Sequence, residues 1–312
     1  MFFFKKRNVH GLLLLDKPKG VSSNYILQKV KRIFHAKKAG YTGTLDPLAT
    51  GMLPICFGET TKFSHYLTDS QKKYHVVAKL GEKTTTSDSC GALLEKRSVS
   101  FSLIQLHASI NELTGLIDQI PSMYSAIKYH GKPLYKYARQ GLTINRKMRK
   151  IFIYKIDLIN YANNVIELYV HCSKGTYIRT LIEDLGEKLG CGAHITFLRR
   201  LQVASYIHSQ LVNMIDLYKS FNRNDIYNID IFKKLDQFLM PIDSPVSFLP
   251  KIFFSIQQTL CFQLGQKVCF ICDIKNSLVR VIDTETRKFL GLGKINSENF
   301  VIPHRLVSTM QG

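Results

Sequence analysis

The chain has 312 residues, 45% of them hydrophobic, which is ample for a packed core and excludes a wholly disordered protein. Its 43 Lys and Arg outnumber 23 Asp and Glu for a formal charge of +20, and a chain this basic most often meets a polyanion, nucleic acid or an anionic membrane surface. No apolar run approaches the ~20 residues of a spanning helix, which turns the expectation away from membranes.

The N-terminal "MFFFKKR" has its apolar and basic parts in the wrong order for a signal peptide. Seven Cys without framework spacing point to a reducing, cytoplasmic setting. "HGLLLLDKPKG" (10–20) reads as a short buried strand ending in a basic Pro-Gly loop, and "SSNYILQKVKRIF" as a helix with Ser22 or Ser23 as N-cap. Next comes "GYTGTLDPLATGMLP" (40–54), with three Gly, two Pro and a single carboxylate, Asp46. A Leu-Asp-Pro run is ordinarily only a turn, so Asp46 either closes a bend or does chemistry.

"GETTKFSHYLTD" (58–69) suits a helix, and "KYHVVAKLG" (73–81) alternates as a strand before a Thr/Ser-rich turn. "FSLIQLHASINELTG" (101–115) is an amphipathic helix closed by Gly. "KIFIYKIDLINY" and "VIELYVHC" form a hairpin around "ANN", and "TYIRTLIEDLGEKLG" (176–190) a helix with Thr176 as cap and Gly190 as stop. Residues 215–245 are polar and end in "LMPIDSP", a linker pattern, while the segment from about 250 shows short strands with frequent turns. Strands and helices alternate without a regular βαβ rhythm. The expected class is therefore α/β (α+β), a mixed, largely antiparallel sheet followed by a small β-rich module.

Two stretches could carry chemistry. Residues 128–150 hold eight Lys and Arg, three Tyr and no acid, a mixture suited to RNA: cations for phosphates, rings for unstacked bases. A solvated helix face is the commoner meaning of one such charge run. In "HCSKGTYIRTLIEDLGEKLGCGAHITFLRR" (171–200), Arg179 sits in the first turn of its helix, the unfavourable end for a cation. It therefore wants a partner, either Asp46 or Glu183 four residues on. Gly-rich nucleotide loops, P-loops and the zinc-deaminase signature are missing, so no cofactor and no metal is expected.

The segments "GLLLLDKPKGVSSN", "AGYTGTLDPLATGMLPICFGETTKF", "KKYHVVAKLGEKTTTSD", "QIPSMYSAIKYHGKPLYKYARQG" and "HCSKGTYIRTLIEDLGEKLGCGAHITFLRRL" together resemble the TruB family of bacterial tRNA pseudouridine synthases, in the family's order, over roughly 10–205. The resemblance implies a catalytic domain over 1–245 with a basic RNA-binding insert at about 122–150. A PUA-like RNA-binding domain follows over 250–312. It implies isomerisation of uridine 55 in the T arm of tRNA, by base flipping and cleavage and rejoining of the glycosidic bond, without cofactor or metal. The family's catalytic aspartate falls on Asp46 and its active-site arginine on Arg179. Tyr74 matches the stacking tyrosine, Tyr177 and Leu198 the substrate pocket, and Lys17 a loop element with a structural or RNA-contacting role. Lys128, Lys132, Lys136 and Arg139 of the insert are the expected RNA contacts. Tyr41 stands where the family usually has His, a position the resemblance implies helps to occupy or hold the space of the extruded nucleotide. A monomer without protein partners is expected; the rival class is a non-catalytic tRNA-binding or folding protein.

Overall fold

The computed structural model describes residues 6–221 and 229–308. A nine-stranded sheet runs in the order Gly11–Lys17, Thr50–Phe57, Ala193–Val203, Lys72–Leu80, Val165–Cys172, Arg149–Ala162 and Gly115–Gln119. Ala39–Tyr41 pairs beside Thr50–Phe57, and Tyr206–Ile207 beside Ala193–Val203. Every pairing is antiparallel except that of Thr50–Phe57 with Ala193–Val203.

Strand alternation sorts the side chains. Lys72, Tyr74, Val76, Ala78 and Leu80 point inward while the residues between them are more exposed. The inward face meets three helices, Ser23–Ile33, Leu103–Glu112 and Ile178–Lys188, in one core that includes Val30, Leu53, Val76, Leu106, Leu168 and Ile182. The long hairpin turns at Asn163 and Asn164, both at positive φ (51° and 60°), the geometry of a tight two-residue turn that Asn tolerates.

Local chemistry decided several details. Ser22 is the N-cap of its helix, accepting from the Tyr25 N–H, which leaves the Ser23 hydroxyl for another task. Thr176 is not a cap: the helix starts at Ile178 behind Tyr177, and the Thr176 hydroxyl donates to the Ser173 carbonyl. The 58–69 segment is a 3-10 turn, Gly58–Phe63, running into a short helix, Ser64–Thr68.

Residues 215–245 are not a linker. Leu217, Ile231 and Leu235 are buried in the main core, and Met240 exchanges backbone hydrogen bonds of 2.8 and 3.0 Å with Leu12. Part of the segment, 222–228, lies outside the described residues. The C-terminal unit is a five-stranded sheet, Lys251–Phe254, Leu278–Asp283, Phe289–Ile295, Phe300–Leu306 and Val268–Cys269 in that order. It also holds a helix, Ile256–Gln263, where strands are expected; a capping box of Ser255 with Gln258 starts it. Phe63, Val246 and Leu292 pack the two units together, and Arg280 donates to Asp243 across 2.9 Å. Among the described residues no helix is long and apolar enough to cross a membrane.

One glycine makes the parallel pairing possible. Gly51 sits at φ +95° opposite Arg200, and a Cβ there would lie 2.3 Å from the Arg200 carbonyl oxygen. Gly51→Ala is therefore expected to lower stability by about 1–3 kcal/mol. An unchanged urea midpoint would contradict this close approach.

Candidate active site

Asp46 lies in the loop between Ala39–Tyr41 and Thr50–Phe57, and that loop is fastened from several sides. The Ser23 hydroxyl donates to the Leu45 carbonyl and accepts from the Leu45 N–H, both at 2.9 Å. Gly20 N–H donates to the Pro47 carbonyl at 2.8 Å, and Ala49 N–H to the Asp46 carbonyl at 3.1 Å. Arg200, only 1% exposed, donates from Nη2 to the Gly43 carbonyl (2.8 Å) and from Nε to the Met52 carbonyl (2.7 Å). Gly43 must lack a side chain here: its φ is +65° and a Cβ would stand 3.0 Å from Arg200 Nη1.

The carboxylate meets Arg179. The guanidinium reaches it by two atoms, Nε to Oδ2 at 2.8 Å and Nη2 to Oδ1 at 3.2 Å. This two-point geometry matches a planar fork to an ionised carboxylate. Arg179 is itself pinned, donating from Nη1 to the Thr86 carbonyl (3.0 Å) and from Nη2 to the Tyr124 carbonyl (2.9 Å), with Asp88 Oδ2 4.0 Å away. Glu183, the other conceivable partner, instead accepts from the Ser87 hydroxyl at 2.6 Å and faces Lys83. The Arg179 side chain is 6% exposed and that of Asp46 34%, so the pair is buried on one side and open on the other. Burial pushes the Asp46 carboxyl up from its ordinary value and the Asp88 charge adds to this, while Arg179 and Lys17 pull against both.

The open side of Asp46 faces a cavity of about 270 Å³. Tyr74, Tyr177, Leu198 and Arg179 line it together with Asp46, so five of the residues picked from the sequence converge on one hollow. Tyr74 is nearly buried, its hydroxyl pushed up by desolvation with the Arg200 guanidinium working against that rise. Tyr177 is held by a reciprocal pair of hydrogen bonds: its N–H donates to Gln119 Oε1 (2.8 Å) and its carbonyl accepts from Gln119 Nε2 (3.1 Å).

Other expected residues lie elsewhere. Tyr41 is half-buried on its strand, opposite Ile55, and packs on the main core rather than lining the cavity. Lys17 is 0% exposed, and its ammonium donates to the Pro18 and Val21 carbonyls of its own loop. In the insert, Lys128, Lys136 and Arg139 are exposed. Lys132 is half-buried, its ammonium 4.7 Å from the Tyr137 ring centre and donating to Gln140.

Sequence reasoning passed over two lining residues, Lys72 and Arg200. The signal was available in the period of two. Lys72 is two residues from Tyr74, and Arg200 two from Leu198, so each shares its neighbour's face of the sheet.

Sequence models of the TruB family cover almost the whole chain. The TruB family pseudouridylate synthase N-terminal domain matches residues 31–178 and the tRNA pseudouridylate synthase B C-terminal domain 179–247. The C-terminal domain of pseudouridine synthase II TruB matches 250–307. The chain belongs to the TruB family. It is 64% identical over 308 residues to the tRNA pseudouridine synthase B of Buchnera aphidicola subsp. Acyrthosiphon pisum (strain APS), covering 99% of both chains. To the tRNA pseudouridine synthase B of Enterobacter sp. (strain 638) it is 51% identical over 301 residues, 96% of each. A chain from a Cbf5-Nop10-Gar1 complex shares the fold, with a TM-score of 0.71 at 24% identity over 95% of this chain and 84% of that one. As a TruB pseudouridine synthase the protein is an isomerase.

In this TruB chain the Asp46 loop depends on Ser23. Ser23→Ala leaves the buried Leu45 N–H and carbonyl without their partner, a loss of about 1–3 kcal/mol. We expect a lower urea midpoint together with a reduced kcat at nearly constant KM if the loop that loosens carries the catalytic group. A fall in stability with kcat intact would mean that the loop's position does not matter.

Proposed function

We propose that the protein converts uridine 55 in the T arm of tRNA to pseudouridine, with Asp46 acting on the glycosidic bond of a uridine flipped into the cavity. One observation carries this reading: a lone carboxylate, held at two points by a buried arginine, opens onto a hollow of about 270 Å³ walled by Tyr74, Tyr177 and Leu198.

A single acid suffices. Cleaving a base from ribose leaves positive charge at C1′, and one carboxylate placed beside that carbon takes it up. Arg179 works against the pull of burial on Asp46 and fixes its direction, reaching it from the first helical turn. A base in a folded arm must leave its stack first, at a cost of a few kcal/mol, and an aromatic face such as Tyr74 returns part of that. Proton chemistry follows from isomerisation itself: the base rejoins through C5, C5 loses its hydrogen, and N1 gains one.

The insert is assigned to the RNA backbone. Exposed Lys128, Lys136 and Arg139 supply cations, and Lys132 braced on Tyr137 supplies a fourth. Tyr41, outside the cavity lining, is assigned to the space the flipped nucleotide vacates, where a phenol stacks and donates a hydrogen bond but carries no positive charge.

Position-resolved mapping of pseudouridine in unmodified tRNA and in an isolated T-arm stem-loop tests the reading. Pseudouridine is expected at position 55 in both. Its appearance only at other positions, or a requirement for the anticodon arm, would overturn the assignment.

The acid limb of the reaction gives a second prediction. Only the carboxylate form of Asp46 reacts, so the single-turnover rate falls as pH drops through its pKa. Because burial raises that pKa, the midpoint should stand above the ordinary carboxylate value of about 3.9. A rate unchanged down to the ordinary value would show that Arg179 outweighs desolvation.

A further inference from the structure

Two cations in the cavity wall, Lys72 and Arg200, are held by backbone carbonyls rather than by an ion pair among the described residues. Lys72 donates to the carbonyls of Thr68 (2.6 Å) and Ser70, and Arg200 to those of Gly43 (2.8 Å) and Met52 (2.7 Å). Among the described residues neither lies within ion-pair distance of a carboxylate, in contrast to Arg179 beside them. They are neighbours: Arg200 pairs with Tyr74 across two strands, and Lys72 is two residues from Tyr74 on the same inward face. Burial, and secondarily the Arg200 charge, push the Lys72 ammonium down to about 8. A fold does not place two like charges together in a desolvated wall without something to offset their repulsion.

Neither is saturated. An ammonium has three donors, of which Lys72 uses two, and a guanidinium has five. Closing the end of helix Ser64–Thr68 does not explain Lys72, because an exposed cation does that without the cost of burial. Both residues line the hollow, and the hollow is where a base would leave its sugar.

We propose that Lys72 and Arg200 receive the negative charge of the uracil as it departs from C1′. The inference rests on the reading of this cavity as the uridine site. When the C1′–N1 bond breaks, its electron pair goes to N1 and the base becomes a uracil monoanion, its charge shared with the ring carbonyl oxygens. Asp46 takes up the deficit at C1′. The anion turns within the pocket, C5 bonds to C1′ with an electron pair from the ring, and C5 then releases its proton while N1 is protonated. Throughout the detached stage the base carries one negative charge, and donors fixed in a dry wall hold it without reorganising. They also hold the anion in the hollow while it turns. Tyr74, between them, contributes its ring and hydroxyl to the same wall.

The test compares Lys72→Met with the native protein on T-arm RNA carrying uridine or 5-fluorouridine at the target, read as single-turnover rearrangement of the base. Fluorine withdraws electrons and stabilises the departing anion within the ring itself, so less is asked of the wall. The variant should lose about 100-fold or more on uridine, the scale of removing one fixed donor from a charge-binding site. On 5-fluorouridine it should lose several-fold less. Lys72→Arg, which keeps a cation in place, should recover most of the uridine rate. Equal losses on the two substrates would overturn the proposal and leave Lys72 a structural residue. So would failure of Lys72→Arg to recover any rate while its thermal unfolding matches the native protein. An Asp46→Asn control separates this from the reading beneath it: if that variant turns over normally, the uridine site itself is misassigned.

Discussion

The contact between Arg179 and Asp46 is the constraint on which the rest of the molecule turns. A carboxylate in a desolvated loop drifts towards its neutral form, and a neutral acid does nothing for a breaking glycosidic bond. A guanidinium at 2.8 and 3.2 Å opposes that drift. Its own placement then depends on the carbonyls of Thr86 and Tyr124, which belong to two separate loops. The Asp46 loop depends likewise on Ser23 from one helix and Arg200 from a strand. Four distant parts of the chain thus converge to hold a single carboxylate, and the sheet is the frame that brings them together.

Charge is divided between two tasks. The insert's cations stand on the surface, where solvent screens them and a phosphate backbone can reach them. Those in the cavity wall are buried and held by backbone carbonyls, as with Lys72 and Arg200. The formal charge of +20 hides this division, because composition counts charges without saying which of them water can reach.

Much of the architecture was legible in the residues. Alternation in "KYHVVAKLG" located a central strand and its inward face, and the Asn pair in "ANN" located the hairpin turn. Asp46 and Arg179 were legible as a pair once the arginine's position at the wrong end of its helix demanded an anion. What escaped was set by contacts remote in sequence. The polar 215–245 stretch packs Leu217 and Leu235 into the core because Met240 adds to the backbone of Leu12, a pairing that local composition does not announce. Lys17 was open between a structural and an RNA-contacting role, and its ammonium folds back on the loop's own carbonyls. Arg200 in "FLRRL" drew no notice, although the face it shares with Leu198 turns it inward.

The account stands most directly on the separation of chemistry from binding at Asp46. Asp46→Asn keeps the side chain's size and removes its charge, and the measurement is tritium release from T-arm RNA containing 5-tritiated uridine, alongside the affinity for the same RNA. The account predicts affinity within a few-fold of the native protein and no tritium release above background. Release at the native rate would contradict it.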